Sequence, residues 1–103
     1  MSFLYNPGKA YKVTTGNYTG DNTANRVIPH GVGSTPKLII LGNDDAGPGF
    51  LIFGSLAAIL NTTTPGLNAV TIPDVTNFYV GNAANYSLSA NANASNYHWT
   101  AFE

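Results

Sequence analysis

Two histidines, four aspartates and six tyrosines are the side chains of this sequence best equipped for chemistry. His30 opens the string His30-Gly31-Val32-Gly33-Ser34, which meets parts of two patterns: the glycine-rich oxyanion loop of esterases and a dinucleotide-binding turn. Both patterns fail on the residues that would do the work. The third glycine of G-x-G-x-x-G falls at Pro36, which leads into an apolar strand, where a helix is needed to receive phosphate. No G-x-S-x-G elbow exists anywhere in the chain to present a nucleophile. The expectation for His30 is therefore a tight turn with the imidazole facing solvent or hydrogen-bonded.

Asp44 and Asp45 form an adjacent carboxylate pair in a loop, the kind of feature that meets calcium beside backbone carbonyls. Calcium takes six or more oxygens and the EF-hand spacing is absent, so a solvated loop is expected and no metal is assigned. Zinc on two histidines and a carboxylate requires His30, His98 and Asp74 to converge, which their spacing does not imply. Tyrosines stack on sugar rings while Asn and Asp bind hydroxyls. Tyr18, read in a turn, and Tyr86 are the aromatics expected to contact a ligand or partner from loops. The N-x-[ST] matches at Asn17, Asn61, Asn85 and Asn93 carry meaning only on an exported chain. No catalytic residue and no cofactor is assigned.

The elements that position these residues are short strands. The stretch Asn25 to Leu41 reads as strand, turn and strand: Pro29 and Pro36 exclude a helix, and the residue before each, Ile28 and Thr35, is driven to extended geometry. Residues 37 to 41 read as a strand central in a sandwich or buried on both faces, ending at Gly42. Lys9 to Thr15 alternates as a half-buried strand does, and Gly16 to Asn22 is dense in turn formers. Further strands are expected at residues 23–28, 50–53, 69–72, 77–80, 86–90 and 97–102, with 55–61 extended or irregular and 61–68 a loop. In the last strand Tyr97, Trp99 and Ala101 share one face, and Trp99 is the expected core anchor. Phe3, Leu4 and Tyr5 make residues 1–8 an apolar arm, expected to dock on the domain or on a neighbouring subunit. The whole predicts an all-β, single-domain antiparallel β-sandwich of jelly-roll type over residues 9–103.

Composition narrows the function classes. Charged residues are only 9% of the chain, against about 25% in ordinary soluble domains. Asn, Thr, Ser and Gly replace them and give a neutral polar skin, suited to a surface concealed by copies of the chain or by a partner. A net charge of -1, with Lys9, Lys12, Arg26 and Lys37 as the cations, offers no basic stripe for nucleic acid. The absence of cysteine removes disulfides and thiolate metal sites. The start of the sequence lacks the basic and apolar regions of a secretory signal, and no apolar run reaches the roughly 18 residues of a membrane-spanning helix.

The ordered combination of GNYTGDNTANRVIPHGVGSTPKLIIL (16–41), TNFYVGNAANY (76–86) and YHWTAFE (97–103) resembles the small β-sandwich virion proteins of tailed bacteriophages. These are capsid decoration (cement) proteins and tail-fibre tip domains, similar in layout to the trimeric H-type lectins. The resemblance implies a homotrimeric virion structural protein, assembled in the host cytoplasm and partnered by the major capsid protein or other virion proteins. A start at Met1 without heptads or a collagen-like period favours, within that group, a free-standing decoration protein over the tip of a longer fibre. The alternative expectation is a receptor-binding, lectin-like domain that recognises a host surface glycan.

Overall fold

The computed structural model describes residues 10–45, 47–63 and 66–103. The proposed arm residues Phe3, Leu4 and Tyr5 lie outside the described residues. Among the described residues eight strands form: β1 (Val13–Thr19), β2 (Arg26–Pro29), β3 (Leu38–Asn43), β4 (Gly49–Phe53), β5 (Ala58–Asn61), β6 (Gly66–Ala69), β7 (Asn77–Val80) and β8 (Asn96–Phe102). Helical structure among the described residues is a single 3-10 turn at Ser87–Ser89. Six strands make one sheet in the order β1-β8-β3-β4-β5-β6, and β2 pairs with β7 to cover its inner face. All pairings are antiparallel. The chain is an all-β sandwich built as a single domain.

Alternation along the strands decides which residues enter the core, because successive side chains point to opposite faces. From β8, Tyr97, Trp99 and Ala101 turn inward, together with Ile39 and Leu41 of β3, Phe50 and Ile52 of β4 and Ile59 of β5. From the small sheet Ile28, Phe78 and Val80 close over them. Trp99 is 6% exposed and meets Phe78 edge to face at 5.3 Å between ring centroids. The expectation of a Trp99 anchor and of its shared face with Tyr97 and Ala101 is met. β3 is central in the large sheet, between β8 and β4, as expected, but it is buried on one face only: Ile40 remains 45% exposed.

Several local expectations are corrected. The segment read as a turn, Gly16 to Asn22, is strand as far as Thr19, so the strand seen at the start of the alternation begins later, at Val13. Gly16 faces Trp99 across the β1–β8 pair, and a Cβ there would overlap the indole ring. A glycine that reads as a turn former in isolation is thus a packing residue. The strand expected at 86–90 is the 3-10 turn, ended by Ala90 in the left-handed region at φ 61°. The loop expected at 61–68 contains β6 from Gly66, and residues 70–72 lie beyond that strand. Finally, β3 runs through Gly42 to Asn43 before turning.

The stretch from Asn25 to Leu41 does join two strands through a turn, and the two strands belong to different sheets. Gly31 and Gly33 adopt φ of 69° and 87°, which side chains disfavour, and so reverse the chain between β2 and β3. Pro29 pairs with Asn77 in a two-stranded sheet, where each strand keeps an open edge that tolerates a residue without an N–H.

Candidate functional site: polar clusters and the outer sheet face

His30 is 1% exposed at the end of β2. Its Nδ1 accepts the Val32 N–H at 3.1 Å, so Nε2 carries the hydrogen and donates it to the Asp74 carbonyl at 2.8 Å. Both ring nitrogens are therefore committed to backbone groups, in a neutral imidazole that fastens the β2–β3 turn to the loop before β7. Of the two alternatives for His30, the hydrogen-bonded one holds. Asp74 is equally occupied. One carboxylate oxygen accepts the N–H groups of Thr76 and Asn77 at 2.9 and 2.7 Å, and the other accepts the Tyr79 hydroxyl at 2.6 Å. The Tyr79 hydroxyl, with the two N–H groups, holds the Asp74 carboxyl below its ordinary range, and the same carboxylate raises the Tyr79 phenol.

A second cluster centres on Asn91, which is fully buried. Its amide nitrogen donates to the Asp21 carboxylate at 2.9 Å and the Thr23 carbonyl at 2.8 Å; its amide oxygen accepts the Asp21 N–H at 3.2 Å and an Arg26 N–H at 3.3 Å. Asp21 also accepts the Thr23 hydroxyl at 2.6 Å, the main reason its carboxyl titrates below the usual range. The Arg26 guanidinium sits 5.2 Å above the Tyr18 ring.

Tyr18, expected in an exposed turn, is a core residue of β1. It is 9% exposed, stacks on Tyr97 at 5.1 Å and donates its hydroxyl to the Ala90 carbonyl at 2.7 Å. Burial, reinforced by Tyr97, pushes its phenol well above the normal value. The correction has a simple cause: strand alternation carried the ring inward once Gly16 to Thr19 joined β1. Tyr86 is half-buried at the start of the 3-10 turn, where its carbonyl accepts the Asn91 N–H at 3.0 Å. Asp44 and Asp45 fasten the β3–β4 loop to β8: Asp45 accepts the Asn96 N–H at 2.7 Å, and Asp44 pairs with His98 Nδ1. His98 stands on the outer face of β8, with Asp44, while His30 and Asp74 sit at the β2–β7 sheet, so the three prospective zinc ligands do not converge. Among the described residues no group of three or more His, Cys, Asp or Glu is placed to hold a metal ion.

A groove of about 360 Å³ lies beside this loop, lined by Asn17, Thr19, Asp44 and Asn96 with Tyr18 and Tyr97 beneath. Its size reaches the lower end of small-ligand sites. The two rings beneath it are turned into the core, which leaves the groove polar groups but no aromatic face on which a sugar would stack.

The feature that sequence reasoning missed is the outer face of the six-stranded sheet. The pairing register lays two apolar rows across it. One runs Val13, Phe102, Leu38, Phe53; the other passes from Thr15 and Thr100 to Ile40, Leu51, Leu60 and Leu67. Val13 is 56% exposed, Leu67 59% and Phe53 40%. In β3 and β4 these residues alternate with core residues of the same type, so no polar partner marked an outside there. Only the register reveals that both faces of β3 and β4 are apolar while the described residues cover a single face. Comparison with family models, curated proteins and solved structures gives no match.

Proposed function

We propose that this chain is a non-enzymatic structural protein of a tailed-phage virion, a homotrimeric decoration protein that binds the assembled head and stabilises it. One observation carries the reading: the side chains with chemical potential are spent on holding loops, while the largest uncommitted feature is a mainly apolar sheet face whose charge is confined to the Asp44–His98 pair at one end. His30, Asp74 and Asn91 each satisfy backbone groups of a neighbouring segment. A constellation of that kind rigidifies a scaffold, whereas catalysis needs an acid, base or nucleophile with free valence toward a substrate. An open apolar face on a neutral domain supports a role between other proteins. A protein that binds only the assembled shell shifts the equilibrium toward that shell by mass action.

The polar groove beside Asp44 is the one feature that favours the second reading, a receptor-binding domain for a host glycan. Immunogold labelling of virions separates the two. Label over the head is the expected result; label confined to the tail tip selects the glycan reading, and unlabelled particles overturn both.

A further inference from the structure

We infer that the outer face of the six-stranded sheet is a self-association surface whose occupant is a second copy of this chain. The inference rests on the reading of the chain as an assembly protein and identifies the surface that assembles it.

Eight large apolar side chains meet on this face in the two rows. Six strands at about 4.8 Å spacing and two rows about 7 Å apart give an apolar patch on the order of 300 Å² in projection. That is the scale of the largest apolar patch on an ordinary soluble domain, and such patches are often functional. With the flanking polar row of Asn17 and His98, the whole face reaches roughly 600 Å² in projection, close to the scale of one side of a standard interface, roughly 800 Å².

Charge decides between occupants. The strands present only one titratable side chain on this face, His98, and it is paired with Asp44 at one end. Copies packed about a three-fold axis set part of each face against part of the next copy's face, so a strongly charged face would repel its neighbours and a nearly neutral one does not. A foreign protein partner would find no charged group within the rows to steer or orient it. Residues 1–9 carry four large apolar side chains, Met1, Phe3, Leu4 and Tyr5, half as many as the face presents. A second copy brings as much apolar surface as it covers.

The test is sedimentation velocity of the full chain over about 1 to 100 μM, the range in which interfaces of this size dissociate. The unmodified chain is expected to sediment as an oligomer. Ile40→Lys, at an exposed position in the middle of the face, is expected to weaken association at least 100-fold with its circular dichroism unchanged, while Val75→Lys, exposed elsewhere, leaves it intact. Should Ile40→Lys not fold, Leu67→Lys takes its place at a position 59% exposed. Because the chain has no cysteine, a single nitroxide at Thr15→Cys gives a second readout: its spectrum should show neighbouring spins in the unmodified background and lose them with Ile40→Lys. A monomer throughout the range, a monomer that associates only after residues 1–9 are deleted, or association indifferent to the face variants overturns the inference. An oligomer that leaves phage heads unlabelled keeps this inference and removes the decoration reading; labelled heads with a monomeric chain keep head binding and remove both this inference and the trimer.

Discussion

An aspartate that accepts three hydrogen bonds from its own neighbourhood has little left to offer a substrate, and Asp74 is in that position. Asp21, between Thr23, Asn91 and Arg26, is similar. The same bonds make both residues sensors of acid. Their carboxyls titrate lower in the folded chain than the 3.8 ordinary for aspartate. Their contribution to stability is thus complete above that value and disappears as pH falls through the folded values. The thermal midpoint is therefore expected to be level between about pH 5 and 7 with respect to these groups and to drop below about pH 4. Asp74→Asn should shrink that drop. Melting curves from pH 2 to 7 check this, and a midpoint that rises on acidification would show the sign to be wrong. The turn around His30 was legible because Pro29, Gly31 and Gly33 constrain the backbone locally. Asn91 was not, since its partners Asp21 and Thr23 are some 70 residues away and its own run, NANASN, gives no sign of them.

Strands were legible where alternation and turn chemistry agreed. β7 and β8 fall at or within one residue of their expected bounds, and β4 likewise. β1 was displaced because its glycine answers to a tertiary contact. Gly16→Ala tests that account with two opposed effects. Removing glycine from a strand gains roughly 0.5–1 kcal/mol through the unfolded chain, whereas forcing a methyl against a buried ring costs roughly 1–3 kcal/mol. The indole is held by Phe78 and cannot swing away, so overpacking should win. The variant is expected to be destabilised by about 1–2 kcal/mol in urea unfolding, the difference between those effects. Unchanged or increased stability would mean that Gly16 serves the backbone and not Trp99. The difference at 86–90 has a local origin instead: Asn82 and Asn85 cap the N–H groups of Ala84 and Leu88 and tighten the chain into a turn.

At the scale of the molecule, a six-stranded sheet covered on one side by only two strands leaves apolar surface unspent. The composition hinted at concealment through its low charge, yet it could not say which surface is concealed, because that depends on register across five strand pairings. The function proposed above rests on the same imbalance, with loops locked by polar clusters and an apolar face left to meet other chains. Sedimentation equilibrium of the unmodified, purified chain tests this most directly. The account predicts a particle of three 10.8 kDa chains at micromolar concentration. A single 10.8 kDa species that persists to the highest attainable concentration would contradict it.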